Sequence, residues 1–489
     1  MARSGTALII LGVLVISAAV VIDLIRTGAL QLQAAQILVM ELGALLIALG
    51  LLLRQISAKS KPEEKHAASF TKWLGDIPMS TWVLAGFLVT YISFFIAPMF
   101  FGLPPRMQYF NKYLPDRFPV GHDLLLTVDL IRQWFESNQS PFHVEFYPPF
   151  TYIFLSPLVL IEDTHTLFKV VTLMTIISFI ISSLLIALLI DGQKNKALIF
   201  TFFAMGLFSY GMQFELERGQ INVLAFLFSM SAVYIYHRHH DFRRYAYLLF
   251  SIAIQLKIYP AIFVVMFIRD WRDWKGNLRR FLALGLFNFA LLFITGVQPF
   301  KDFLEAITTQ LSKPGWAWTG NHSIRAFVSE LAENDGFGLV STGALEAIRQ
   351  NAGTISNAFL AVFILCFLST LIRAYQRNQA AFDPVLFLVC VLGALIVPIS
   401  NDYTLSILPA PMALALSVLA TNRYGKSKPA AIILLLAAAT AFSATLYPFK
   451  YKPLFLQNLF PALFIVLISV TLLNWMIQIP REDAAAAEA

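Results

Sequence analysis

Six short stretches hold residue types that do chemistry, in places where a mostly apolar chain has little other use for them. In "VGHDLLLTVDLIRQW" from Val120, Asp123 follows Pro119 and Gly121 where a helix should start. A carboxylate there serves either as an N-cap or as a general base, and local sequence leaves both open. Asp129 stands three residues before Arg132, the spacing of a solvated ion pair. "ELERGQIN" presents Arg218, Gln220 and Asn222 as a basic, amide-rich turn at a helix start, suited to a phosphate or sugar or simply to capping. "QLKIYP" puts Lys257 inside an apolar run, where a cation marks a site or pairs with a carboxylate.

The remaining stretches lie at the ends of apolar runs. "EFYPPF" contains Tyr147, and its two prolines fix an extended approach to the next segment. "WAWTGNHSIRAF" offers Trp316 and Trp318, then Asn321, His322, Ser323 and Arg325. Tryptophans there are ordinary interfacial anchors and Asn321 or Ser323 suits a helix cap. His322, the only histidine of its loop, suits anion binding or proton handling. "PISNDYTLSILP" places Asp402 and Tyr403 at a membrane boundary, as a cap or as contacts for a donor or acceptor.

Other chemistries find no residues. There is no P-loop, dinucleotide fingerprint, HExxH or GxSxG. Cys366 and Cys390 sit inside apolar runs and make neither a disulfide framework nor a metal site. No metal, cofactor or nucleic acid is expected, and "HRHH" reads as part of a basic loop.

The elements that must position these residues are membrane helices. Of 489 residues, 58% are hydrophobic and only 13% charged, against about 25% charged in soluble domains. Apolar runs fall at 6–25, 33–54, 81–101, a short 148–162, 166–190, 197–213, 220–236, 245–267, 281–298, 355–375, 382–399, 402–420, 429–446 and 455–477. The expected fold is an all-α polytopic integral membrane protein with about 12–14 transmembrane or re-entrant helices. Residues 1–77 read as an additional N-terminal hairpin with a basic loop, 78–480 as the core, and 481–489 as a disordered tail. Within the core, 102–147 and 299–354 are long loops that carry amphipathic interfacial helices. In the first, Leu124, Val128, Ile131, Trp134 and Phe135 share one face, opposite Asp129, Arg132, Gln133 and Glu136.

Basic loops set the orientation. Putting the loops with Lys59 to Lys72, Arg269 to Arg280, Arg373 with Arg377, and Arg423 to Lys428 in the cytoplasm sends both long loops and the Ser400–Tyr403 corner outside. One conflict remains: "HRHHDFRR" and "RDWRDWKGNLRR" are both basic, yet a single run separates them. Pro260 interrupts that run. The expectation is therefore two half-helices that dip in and return, with Lys257 near the tip and the polar stretches converging on one face.

The order of motifs then becomes recognisable: an aspartate opening an outer-loop helix, "YPP", "GQIN", "KIYP", "NHS" and "SNDY". The chain resembles, over roughly residues 80–480, the GT-C superfamily of polyprenyl-phosphate-sugar-dependent glycosyltransferases, most closely the bacterial glycosyltransferase family 87 with its α-mannosyltransferases. "KIYP" is also similar to the glycosylphosphatidylinositol mannosyltransferases.

The resemblance implies an enzyme of the cytoplasmic membrane with its site on the periplasmic or outer face. It would move mannose or another hexose or pentose from a polyprenyl phosphate to a lipid-linked or glycan acceptor. Asp123 matches the family's general base, and His322 a position where this group often has a polar side chain near the donor. Lys257, Arg218, Gln220, Asn222 and Arg325 would join His322 at the donor phosphate and sugar. Asp402, Tyr403, Tyr147, Asn321 and Trp318 would contact acceptor or donor. Two features depart from the family: three spans precede the aspartate instead of one, and the corner carries "SNDY" instead of tryptophan and histidine. The rival classes are a transporter or flippase of lipid-linked sugars and a polysaccharide polymerase or ligase.

Overall fold

Within lipid a backbone amide finds no water and must bond inside its own helix, so a chain this apolar folds into helices. The computed structural model describes residues 6–15, 17–18, 120–137, 140–141, 147–192, 195–207, 209–312, 320–333, 342–378, 382–421 and 458–476. The runs 33–54, 81–101 and 429–446, most of the N-terminal hairpin and of the 102–147 loop, Trp316, Trp318 and the 481–489 tail lie outside these residues. Among the described residues no strand forms, and Asn321 and Asn401 make one isolated antiparallel bridge.

The helices are α1 (Thr6–Val15), α2 (His122–Ser137), α3 (Pro149–Leu155), α4 (Thr164–Asp191), α5 (Lys196–Leu207), α6 (Tyr210–Arg218), α7 (Asn222–Arg238) and α8 (Arg243–Leu256). After them come α9 (Trp274–Leu291), α10 (Val297–Ser312), α11 (Ile324–Glu333), α12 (Thr342–Arg377), α13 (Pro384–Ile396), α14 (Pro409–Thr421) and α15 (Phe460–Met476). Three 3₁₀ segments, Ser156–Leu160, Tyr259–Phe267 and Asp402–Ile407, complete the helical elements that concern the site.

The centre of the bundle is α13. Asp383 caps it by accepting from the amides of Val385 and Leu386 at 3.0 and 3.1 Å, and Pro384 occupies the first turn, where its missing N–H is not needed. Every residue from Val385 to Ile396 is buried, against α12, α14, α15 and the segment Tyr259–Phe267. Between helices in lipid the gain is close packing rather than release of water.

Among the described residues, Thr164–Asp191 and Gly343–Arg377 are long and apolar enough to cross a membrane unbroken. Gly211–Arg218 and Asn222–Arg238 make a third such length, bent by 115°. Several runs that read as continuous spans are cut into shorter helices. The run 197–213 ends at Leu207, and Ser209 caps a new helix, α6, by accepting from the Met212 amide at 3.3 Å. The run 281–298 divides between α9 and α10, and 355–375 lengthens into α12. Hydropathy registers the company a residue keeps and not the direction of the chain, so a sharp turn between two apolar helices leaves no mark on it.

The conflict between the two basic stretches resolves as a reversal at Lys257. From Asn222, α7 runs to Arg238, and α8 comes back until Lys257 Nζ lies 3.0 Å from Gln220 Oε1. The chain then retraces α7: Tyr259 Oη donates to the Asn222 carbonyl at 2.9 Å, and His237 Nε2 bonds the Met266 carbonyl at 2.8 Å. Arg269 therefore arrives beside His240, at 3.4 Å, and Arg280 beside Tyr236 Oη, at 3.3 Å. The amide of Trp271 donates to Asn378 Oδ1 at 2.9 Å, bringing the end of α12 to the same place. The bundle thus has a basic end and, at the other end of α7, a polar end.

Amphipathic helices cover the polar end. One face of α2 buries Leu124, Val128 and Ile131, with Tyr152, Leu256 and Phe303 of α10 in the same cluster. On the other face Asp129 and Arg132 pair at 3.0 Å. Phe135 departs from the expected face: it is exposed and stacks on Trp134 at 5.7 Å.

Candidate functional site

The site begins with the way α6 stops. Gly219 N–H donates to the Leu216 carbonyl at 3.2 Å and Gln220 N–H to the Glu215 carbonyl at 3.0 Å, which is a Schellman ending. It requires a left-handed residue, and Gly219 has φ +68°. The same glycine lets α2 come close, since a Cβ there would stand 2.7 Å from Leu124 Cβ. The Gly121 amide donates to the Glu217 carbonyl at 2.6 Å and fixes the start of α2 against this turn. Asp123 and Gln220, 97 residues apart in sequence, meet as a result.

Gln220 Nε2 donates to Asp123 Oδ2 at 2.7 Å. Its Oε1 accepts from Lys257 Nζ at 3.0 Å and from Tyr147 Oη at 3.0 Å. Lys257 Nζ also donates to Tyr147 Oη at 3.1 Å and lies 4.2 Å from the centre of that ring. Arg218 Nη1 stands 3.7 Å from Asp123 Oδ1, with its guanidinium 5.2 Å from the Phe214 ring. These partners fix the amide orientation of Gln220: its NH₂ meets a carboxylate and its oxygen a cation. The oxygens of Asp123 meet Gln220 and Arg218.

Lys257 reaches this position because α8 stops one residue earlier. Its backbone is extended, with φ −149° and ψ 139°, and Pro260 stands in the first turn of the following 3₁₀ segment. Stopping leaves α8 carbonyls without amide partners. Thr151 of α3 supplies one, its hydroxyl donating to the Gln255 carbonyl at 2.7 Å.

A second, fully buried cluster lies beside the first. His322 Nε2 and Asp402 Oδ1 are 2.6 Å apart, both side chains without solvent exposure. The Leu459 amide donates to His322 Nδ1 at 3.2 Å. Asn321 Oδ1 accepts from the amides of Ser323 and Ser400 at 3.1 and 3.2 Å. Tyr403 joins the two clusters, with its ring 5.6 Å from Phe214 and 5.9 Å from Lys257 Nζ.

Of the residues singled out from sequence, the structure brings Asp123, Arg218, Gln220, Lys257 and Tyr147 together, with Tyr403 at their edge. Asn321, His322 and Asp402 form the buried cluster, and Arg325 is exposed on α11. Asn222 turns inward, its Nδ2 donating to Glu215 Oε2 at 2.9 Å. Trp318 lies outside the described residues. Sequence reading missed Glu215, which is wholly buried and also accepts from the Val223 amide at 3.0 Å, capping α7 from a distance. An acid just past the end of the apolar run 197–213 was the signal for it.

Among the described residues no three His, Cys, Asp or Glu side chains group as a metal site. A cavity lined by Asp191, Asn195, His237, Arg238 and Ser417 opens at the basic end, away from Gln220. Its carboxylate, Asp191, accepts from the Asn195 amide at 2.7 Å and from the Ser417 hydroxyl, and Arg238 donates to the Ile190 carbonyl at 3.3 Å, so the candidate site is assigned to the polar end on its chemistry. A carboxylate, two cations, a phenol and an amide meeting there suit deprotonation of a hydroxyl next to an anion.

In comparisons with known proteins, the model of the family described as glycosyltransferase family 87 matches residues 146–398. The matched stretch contains Tyr147, Arg218, Gln220, Lys257 and His322, while Asp123 and Asp402 flank it. No curated protein and no solved structure matches the chain.

Proposed function

Because this chain belongs to glycosyltransferase family 87 and is thus a membrane glycosyltransferase, we propose that it moves one sugar from a polyprenyl phosphate to a hydroxyl of a lipid-linked or glycan acceptor. The observation that carries the reading is the pair Asp123 and Lys257 on opposite ends of the Gln220 amide. Asp123, about a quarter exposed at 27%, is the general base. It takes the proton as the acceptor oxygen forms its bond to the anomeric carbon. The bond from that carbon to the phosphate oxygen breaks, and its electron pair leaves with the phosphate. Lys257 and Arg218, the two cations of the cluster, stabilise the charge that develops there.

One carboxylate suffices for this single displacement, since the attacking oxygen need only lose a proton. Tyr147 holds the Lys257 ammonium in place through both hydroxyl and ring. The Asp123 end is opposite the basic end, and the positive-inside tendency supports a site on the outer, periplasmic face of the cytoplasmic membrane.

Purified protein in lipid nanodiscs, given polyprenyl-phosphate hexoses and pentoses with a lipid-linked glycan, tests the reading. Release of polyprenyl phosphate together with a lengthened acceptor is expected. Turnover with a nucleotide sugar or a lipid-diphosphate oligosaccharide, and with none of these donors, would overturn the donor assignment.

A further inference from the structure

The buried pair His322–Asp402 sits one residue away from Tyr403 yet has no exposed surface. The Leu459 N–H donates to His322 Nδ1, so that nitrogen carries no proton. The imidazole proton is then on Nε2, which donates to Asp402 Oδ1. His322 is therefore the neutral tautomer with both nitrogens occupied inside the protein.

The contacts around the pair tie together three distant pieces of chain. The His322 amide donates to the Ser400 carbonyl at 2.7 Å, and Asn458 Nδ2 donates to the Asn321 carbonyl at 2.9 Å. Asn458 Oδ1 in turn accepts from the Phe460 amide at 3.0 Å, where α15 begins. Asn321, His322, Ser400, Asp402 and Asn458 are all almost wholly buried. The corner they hold lies against α6 so closely that a Cβ at Gly211 would stand 2.9 Å from the Asp402 carbonyl. The far end of α6 is the Schellman turn that carries Gln220.

We infer that His322 and Asp402 are positioning residues: a hydrogen-bonded clasp that locks the corner on which α6 and Tyr403 rest, and so sets Gln220 between Asp123 and Lys257. The inference rests on the proposed transfer reaction only for its kinetic readout. Asp402 works here as a hydrogen-bond acceptor, and its charge is not what the clasp uses.

Two variants separate acceptor from charge. Asp402→Asn keeps an oxygen for His322 Nε2–H, whereas Asp402→Ala removes it. Expected for Asp402→Asn is turnover within about threefold of the natural protein. Asp402→Ala leaves the His322 Nε2–H buried without its acceptor and should lower kcat by about tenfold to a hundredfold, the scale of that penalty, with donor KM little changed. Hydrogen exchange across Tyr210–Asn222 should quicken in Asp402→Ala and not in Asp402→Asn. Loss of activity in the asparagine variant with unchanged exchange would show that the carboxylate acts on substrate and would overturn the clasp. Natural kcat and unchanged exchange in the alanine variant would overturn it too. The exchange measurement needs no substrate, so a failure of the donor assignment leaves the clasp separately testable.

Discussion

Asp123 and Lys257 meet the two ends of one side-chain amide, Gln220 Nε2 donating to the carboxylate at 2.7 Å and Gln220 Oε1 accepting from the ammonium at 3.0 Å. A carboxylate and a cation this close would otherwise attract one another directly and occupy each other. The amide satisfies both without neutralising either, and it comes from a turn that three local features fix: the Schellman ending, the left-handed Gly219, and the Glu215 carboxylate bonded to Asn222 and Val223.

Gln220→Glu replaces this spacer by a second carboxylate. It should draw Lys257 into an ion pair and repel Asp123, lowering kcat by about tenfold to a hundredfold, the range for hydrogen bonds to charged groups. Steady-state kinetics with a polyprenyl-phosphate sugar measures it, and an unaltered kcat would remove Gln220 from the machinery.

Lys257→Met keeps much of the side-chain length and apolar contact while deleting the charge. With the leaving phosphate deprived of its nearest cation, kcat/KM for the donor should fall by about 10²–10³-fold, as for removal of a preorganised donor to a developing anion. Unchanged donor affinity and turnover would make Lys257 structural.

Gly219→Ala tests geometry rather than chemistry. A non-glycine residue in the left-handed region costs about 1–2 kcal/mol, and the new methyl would meet Leu124 Cβ at 2.7 Å. The thermal midpoint should drop and α2 should move off the turn, so activity falls although no reacting group has changed. Retention of both stability and turnover would contradict the close approach.

Asp163 caps α4 from outside the apolar span, accepting from the Thr166 hydroxyl and amide, and the hydroxyl bond holds its carboxyl below the ordinary aspartate range. A carboxyl with a lowered folded pKa stabilises above its unfolded value and stops doing so as pH falls through the folded one. Acid should therefore narrow the stability difference between the natural protein and Asp163→Ala, a difference present near neutral pH. Thermal melting of both from pH 7 down to pH 3 reads it, and a difference that grew with acid would contradict the cap.

Much of the site was legible in the sequence because an apolar chain makes its exceptions conspicuous. Asp123, Arg218, Gln220 and Lys257 each interrupt a run or open a helix, and the paired basic loops around Lys257 already required the chain to turn back. Family membership separates the enzyme from the carrier of lipid-linked sugars that composition alone left open. What stayed hidden depends on direction and distance. Tyr210 to Phe214 keep a run apolar across the turn between α5 and α6, so the separate short helix could not be seen. Asn222 looked like a ligand contact and instead bonds Glu215, since hydropathy does not say which way an amide faces. His322 looked free to bind an anion, and only the approach of Leu459, 137 residues on, shows both its nitrogens engaged.

In the proposed reaction the Asp123 carboxylate removes the acceptor proton. The most direct test of that step is polyprenyl-phosphate release by Asp123→Asn, which retains the shape of the side chain and an oxygen for Gln220 Nε2. A fall in kcat of about 10²–10⁴-fold is expected, the usual contribution of a general base, with the thermal midpoint and donor affinity kept. Full turnover in that variant would contradict it.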